Sequence, residues 1–506
     1  MPRYKRVDMS PRLLAVDLSR QVLPGSFEFA LTRLIDHHLS LSAFESRFRN
    51  DQVGAPAYPP AVLLKIVLLA YSKGLIHSRD IEAACRENVV FMAVSGDSHP
   101  HFTTIAHFVS ASAEAIAQLF TQVLMVCQRQ GLVGREMFAI DGVKLPSNAS
   151  KAKSGTRADF LREAAKMRAQ VRKMIERHRS RDQCDTAEEP REREARHSER
   201  LAREAERIQR WLEDNPQDRR GANNNVRQSN RTDNESAKMA TEKGVIQGYT
   251  AVAAVDDKHQ IIVQAQAHGV GQEQELLLPM VEALQPMLGE HSVIGADAGY
   301  YSKLNVEALE ERALRACIPD PNYRSRDPRY AGQQRHKDKP DALWDKRKRP
   351  KANALFRPEQ FSVAEDFSHC ICPAGKRLYR NGRHHNLRGF EALKFTGTKR
   401  DCTHCPLRSR CLRHPELTPV RQVAIFLRKV IVEHAVERMK KLVDSEPGKR
   451  LIAQRFATVE PVFANLRFNK ALNRFTLRGR HKVDGQWKLY CLVHNIEKLA
   501  NNGYPG

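Results

Sequence analysis

Asp141 closes the run Phe138-Ala139-Ile140, Asp297 closes Val293-Ile294-Gly295-Ala296, and Glu460 stands between Val459 and Pro461-Val462-Phe463. The first two runs are apolar and of strand type, and a small residue follows each acid, so both aspartates are expected at the ends of buried strands. Carboxylate oxygens brought together from separate elements are the donor set of a hard divalent cation such as Mg²⁺ or Mn²⁺. Two such ions roughly 4 Å apart strengthen a nucleophile and neutralise charge on a departing phosphate oxygen. In that arrangement Asp141 bridges the ions, and Asp297 and Glu460 each complete one shell. Taken singly, each acid has a plainer reading as a cap or turn residue, as Asp before Gly often is.

The charge of the chain points to the substrate. The 506 residues include 83 Lys and Arg against 59 Asp and Glu, a formal charge of +24. A field of that sign gathers phosphate backbones, so double-stranded DNA is the expected partner. Apolar residues make up 41%, too many for a disordered chain and enough for several domains. The start, Met1-Pro2-Arg3-Tyr4-Lys5-Arg6, lacks the apolar stretch of a secretion signal, and the apolar segment 62–70 is short and interrupted by Lys65. Both features speak against export or membrane insertion. Ten cysteines, half of them between Cys370 and Cys411, do not make a secreted disulfide framework, and a reducing cytoplasm is expected.

Several elements must position the three acids. Residues 1–133 read as helical: Pro59 and Pro60 open one helix, Gly74 closes it, Ser78 can cap the next, and Thr103 or Thr104 starts a longer one toward Gln128. Lys65, Lys73, His77 and Arg79 are candidate phosphate contacts there. Strand character begins at Met137 and is expected to leave the sheet after Asp141. Leu161, Ala164, Met167, Val171 and Met174, then Leu201, Ala205, Ile208 and Leu212, recur at helical spacing, which predicts a helical hairpin over about 156–215. Sheet character returns at residues 248–257 and 260–267, followed by a helix over 273–288, the strand ending at Asp297, a helix near 304–312 and a short strand near 315–318. Three strands, a crossover helix, then further strand and helix is the order of an RNase H-like mixed-sheet core, an α/β fold in which the ends of the first and fourth strands lie side by side. Asp256 and Asp257 are rival acids with a simpler reading as hairpin residues, and Asp233 reads as structural.

The chain resembles the DDE transposases of bacterial insertion sequences, in the branch with an N-terminal helical domain and a cysteine-containing insert. The likeness runs from Tyr58-Pro59-Pro60 and Ser78-Arg79-Asp80-Ile81-Glu82 through Thr104-Ile105-Ala106-His107-Phe108. It continues in Asp141-Gly142-Val143-Lys144, in Thr232-Asp233-Asn234-Glu235-Ser236 and in Asp297-Ala298-Gly299-Tyr300. It ends in Val459-Glu460-Pro461, Arg474-Phe475, Arg478-Gly479 and His494-Asn495. The resemblance implies catalytic Asp141, Asp297 and Glu460 binding two Mg²⁺ or Mn²⁺ ions, cleavage of element ends, and joining of a 3′-hydroxyl to target DNA. It also implies a homodimer or higher oligomer on DNA, in a bacterial cytoplasm and nucleoid-associated when bound. Many relatives carry Tyr, Arg, Glu and Lys at fixed intervals on the last catalytic helix. Here Arg455 precedes Glu460, no Tyr lies shortly upstream, and Arg467 or Lys470 must serve as the trailing base. Lys144, Arg455, Arg467 and Lys470 are the expected DNA contacts. Pro461 is expected to bias Glu460 toward a helix start or kink, leaving Glu433 and Glu437 as weaker substitutes.

A second insertion is expected over 321–447, with the core resuming over 448–506. It opens with the basic, proline-containing run 324–351, expected to be mobile alone and to order on phosphates. Cys402-x-x-Cys405 has the bite of a zinc half-site that Cys372 and Cys411 could complete. Cys370, His404 and His414 are alternative ligands, and a reduced, metal-free cluster is the plain reading. Three functions stay open on sequence: an active transposase, a transposase-derived DNA-binding protein that no longer cuts, and a DNA nuclease without strand transfer.

Overall fold

The computed structural model describes residues 10, 15–46, 56–181, 188–221, 224–241, 244–330, 355–382, 385–387, 390–429 and 434–504. Contacts divide the chain into one unit of Met1–Leu343 with Met439–Gly506, and a second of Trp344–Arg438. Glu433 and residues 331–351 of the basic run lie outside the described residues.

The first unit is organised around a mixed sheet. Its N-terminal helices are α1 (Phe27–His37), α2 (Pro60–Ser72), α3 (Ser78–Glu87), α4 (Phe102–Ala111) and α5 (Ala113–Arg129). Pro60 occupies the first turn of α2, where its missing N–H costs no hydrogen bond, and Gly74 at φ +74 ends the turn after it. The single helix expected toward Gln128 is two: α4 and α5 meet at Ser112 with a bend of 73°. Ser78 is the first residue of α3, and the cap position falls to His77.

The sheet strands are β1 (Met137–Pro146), β2 (Ala237–Thr241), β3 (Gly244–Asp256), β4 (Ile262–His268), β5 (Val293–Ala296) and β6 (Arg315–Cys317). Their order is β6-β5-β1-β3-β4, with β2 pairing the start of β3. β5 is parallel to both β1 and β6, whereas β1–β3 and β3–β4 are antiparallel. Every residue of β3 from Gln247 to Asp256 is buried. A continuous run of small and branched apolar residues replaces alternation, as a sheet covered on both faces requires.

Between β1 and β2 the antiparallel helices α6 (Arg157–Arg181) and α7 (Glu188–Asp214) pack through Phe160, Ala164, Ile208 and Leu212. Arg231 holds the pair together through Glu163 (3.2 Å) and Glu204 (2.7 Å). α8 (Leu277–Leu284) and α9 (Lys303–Glu311) connect the parallel strands. The helix expected over 273–288 keeps only its middle: Pro279 sits tolerably in the first turn of α8, but Pro286 cannot continue it, and both flanks become 3₁₀ turns.

The second unit is a sheet in the order β7 (Ser362–Val363), β8 (His369–Ile371), β9 (Arg377–Arg380), β11 (Phe390–Gly397), β10 (His385–Leu387), with β12 (Gln422–Lys429) also pairing β11. Two short helices, α10 (Lys399–Thr403) and α11 (Arg408–Cys411), follow β11. Its apolar cluster includes Phe356, Phe361, Cys370, Leu378 and Phe395.

Returning to the first unit, α12 (Glu446–Ala464) packs on β1, and α13 (Arg480–Asn501) crosses β4 and the N-terminal helices. Trp487 Nε1 donates to Val252 O at 3.0 Å, and the Asn495 amide both donates to and accepts from the Ile262 backbone. Among the described residues no single helix is long and apolar enough to cross a membrane.

Candidate active site

Strand register brings two of the candidate acids together. Parallel pairing of β1 with β5 ends at Ile140 opposite Ala296, so Asp141 and Asp297 are the next residues on adjacent strands. Asp141 is not at a strand end, contrary to expectation. It lies opposite Ala253, and β1 continues to Pro146 because β3 supplies a pairing partner on the other edge. β5 is the strand that stops here, and Asp297 caps a 3₁₀ turn, Ala298–Tyr300, by accepting from Gly299 N at 2.8 Å.

The Asp141 carboxylate is pulled two ways. Burial raises its pKa to about 6; Arg455 opposes that shift, while the neighbouring charges of Asp297 and Glu460 add to it. Its Oδ1 accepts from Gly142 N at 2.8 Å and its Oδ2 pairs with Arg455 Nη2 at 2.9 Å. Arg455 also donates to Ile140 O at 3.3 Å. Beside them the buried Tyr300 hydroxyl has no hydrogen-bond partner. A Cβ at residue 142 would stand 2.9 Å from that oxygen, so any larger residue after Asp141 would have to displace the Tyr300 hydroxyl. Burial, then the charges of Asp141, Glu273 and Asp297, holds the Tyr300 phenol protonated.

Glu460 is exposed on α12, within a regular helix despite Pro461. The expected displacement to a helix start or kink does not occur. Pro461 leaves the carbonyl of Ala457 without its helical donor, and Gln260 Nε2 donates to that oxygen at 3.3 Å. A π-helical turn, Asn465–Asn469, follows. Glu437, the other substitute, belongs to the second unit.

Asp141, Asp297 and Glu460 line one cleft of about 990 Å³. Its lining also includes Pro319, Pro321, Tyr323, Arg324, Arg326, Arg329 and Tyr330. Arg324 lies over the rings of Tyr323 and Tyr330, at 5.6 and 5.2 Å. Arg326 is held by Asp320 and Asp444 (2.5 and 2.7 Å). The sequence reading marks Arg324 as the start of a basic run but gives no sign that it faces the acids.

The candidate DNA contacts are placed unevenly. Arg455 is 9% exposed and engaged with Asp141, so it serves the acid site instead of an open surface. Its spacing carries a signal the sequence reading missed: Arg455, Val459 and Val462 lie on one helical face, the face that is buried. Lys470 is 5% exposed and paired with Glu497 at 2.7 Å, a structural role that corrects its expected one. Lys144 pairs with Glu273 at 3.0 Å, and Arg467 sits in the π-helical turn with its Nε buried and unbonded. Lys65 is likewise buried against Asp36 (2.6 Å), Lys73 pairs with Glu28 (2.8 Å), and Arg79 stacks on Phe102.

Asp256 accepts from the Gly134, Arg135 and Lys258 amides, and Asp257 from Met137 N and Gln454. Asp233 accepts from the Tyr249 hydroxyl at 2.9 Å and from Gly479 N at 3.2 Å. These rivals are spent on the fold. In the second unit Cys372, Cys402, Cys405 and Cys411 line one cavity, Cys370 is buried, His404 is exposed, and His414 pairs with Glu416. Among the described residues no three His, Cys, Asp or Glu side chains are already arranged around a metal position.

Two family models match the chain: Transposase DDE domain over residues 371–500, and Transposase domain (DUF772) over residues 16–111. The first takes in Glu460 and the four cysteines, whereas Asp141 and Asp297 lie between the matched stretches. No curated protein matches the chain.

Proposed function

We propose that this chain, whose two matched regions are both transposase regions and consistent with an insertion-sequence DDE transposase, binds the DNA ends of its element, hydrolyses a phosphodiester there and joins the freed 3′-hydroxyl to target DNA. The observation that carries the reading is the register that makes Asp141 and Asp297 neighbours on parallel strands, with Glu460 lining the same cleft. The strand order β6-β5-β1-β3-β4, antiparallel on one side of β1 and parallel on the other, supports an RNase H-like core.

The donor set fits Mg²⁺ or Mn²⁺. Its three carboxylates supply hard oxygen ligands, and the mutual repulsion that helps raise Asp141 is what a dication relieves. Bound as a pair, such ions would supply nucleophile activation and charge neutralisation. Asp141 and Asp297 would hold them from the sheet and Glu460 from α12. Arg455 positions the Asp141 carboxylate and offsets part of the burial that raises its pKa. Arg324, which lines the same cleft over Tyr323 and Tyr330, can meet phosphate oxygens of the strand being cut, whereas Arg329 is held by Asp327 at 2.7 Å. Joining two ends to one target calls for a dimer or higher oligomer on DNA.

The test is to incubate purified protein and Mg²⁺ with duplexes carrying the two element termini and a target plasmid. Joined products are expected. Cut but unjoined ends would instead assign a nuclease, and binding without cutting a transposase-derived DNA-binding protein.

A further inference from the structure

We infer that the second unit holds a structural zinc ion in a shell of four thiolates, Cys372, Cys402, Cys405 and Cys411. The inference is independent of the carboxylate site. The four residues come from separate places: Cys372 follows β8, Cys402 lies in α10, Cys405 just beyond it, and Cys411 ends α11. All four are free thiols, partly buried, and line one cavity of about 30 Å³ whose apolar wall includes Phe356, Leu378, Leu407 and Leu412. Cys370, the only other cysteine between 317 and 491, is fully buried inside the apolar cluster, whereas Cys372 and Cys411 pack at its edge and also line the cavity.

The surroundings combine apolar contact with counter-charge: burial pushes the Cys411 thiol up, Arg421 opposes that shift, and cations and amide N–H groups stand around the four sulfurs. Lys376 N donates to Cys372 Sγ at 3.4 Å, across a turn closed by Gly375 N to Cys372 O at 2.8 Å, with Gly375 at φ +73. Lys376, Arg377, Arg408 and Arg421 line the cavity, with Asp401 the lone carboxylate. A zinc ion with four thiolates is a net dianion, and a collar of cations and amide N–H groups offsets it.

Two of these arginines also tie down the backbone that carries the ligands. Arg408 donates to Cys402 O (2.8 Å), Pro415 O (2.6 Å) and Thr418 O (2.9 Å), and Arg421 to Cys411 O and Phe356 O (both 3.0 Å). No three of the sulfurs already share a ligand position, so the ion has to draw the side chains inward on a scaffold that is in place. Closure would fasten α10, α11 and the turn after β8 to one another in a unit whose apolar cluster is small.

Elemental analysis of full-length protein purified without chelator is expected to find about one zinc per chain. Cys402→Ser and Cys411→Ser should lose most of it and Cys370→Ser should retain it. Because a ligand variant can fail to fold, wild type stripped of zinc is also reloaded with Co²⁺, which should give the intense visible bands and sulfur-to-metal charge transfer of a tetrahedral thiolate site. Wild type that carries no zinc and gives no such cobalt spectrum overturns the inference. So does equal zinc loss in Cys370→Ser and Cys402→Ser, or a mass showing two disulfides among the four residues in protein purified under reducing conditions.

Discussion

Asp141 carries the largest conflict of any single residue at the site. It lies between a guanidinium that favours its charge and two carboxylates that oppose it, and burial sets its pKa at about 6. Because this value is raised above the ordinary aspartate range, ionised Asp141 costs the metal-free fold stability as pH climbs through that range to about 6. A dication needs the ionised form, so it binds above this window and is lost below it. Thermal unfolding should therefore show Mg²⁺ or Mn²⁺ raising the melting temperature near pH 7.5, with the gain fading as pH falls through 6 and absent near pH 5. The same metal-induced shift at pH 5 and 7.5 would remove Asp141 from the ligand set. Asp141 and Asp297 stand out as candidates in sequence, since an apolar run ending in Asp and a small residue is a local pattern, whereas Glu460 has no such pattern. The counterion does not stand out: Arg455 and Asp141 are brought together by packing of α12 on β1, which no local spacing encodes.

At the level of elements, hydrophobic periodicity reads the helices and strands of the first unit well, and the departures have physical causes. β1 outruns its expected end because its antiparallel neighbour is longer than its parallel one. α12 passes through Pro461 because Gln260, a residue on another element, takes over the orphaned carbonyl. The α4–α5 bend at Ser112 sets α5 against α13, where a methyl group on Gly485 would meet Ala113 Cβ at 2.8 Å and its Cα at 2.9 Å. Neither atom belongs to a flexible side chain that could yield. Gly485→Ala should thus force the helices apart and lower stability by about 1–3 kcal/mol, seen as a lower denaturation midpoint in urea. An unchanged midpoint would mean that α5 and α13 pack less tightly than this contact requires.

For the whole molecule, the formal charge of +24 overstates what DNA can meet, since Lys65, Lys73, Lys144 and Lys470 are each paired with a carboxylate. Arg326, Arg329, Lys449 and Arg455 of the cleft are paired as well, but the excess of 83 Lys and Arg over 59 Asp and Glu is large enough that non-specific DNA affinity should fall on the order of tenfold to a hundredfold between about 50 and 200 mM salt. A flat titration by fluorescence anisotropy would show the charge to be dispersed. The central claim is narrower: three carboxylates from two strands and a helix act as one metal-dependent site on bound DNA. Its most direct test measures binding and strand transfer side by side for wild type, Asp141→Asn, Asp297→Asn and Glu460→Gln. Each substitution removes a ligand charge and leaves the other DNA contacts in place, so strand transfer should drop by about a thousandfold or more while affinity for end DNA stays within about threefold. Near wild-type joining by any one of the three variants would contradict the account.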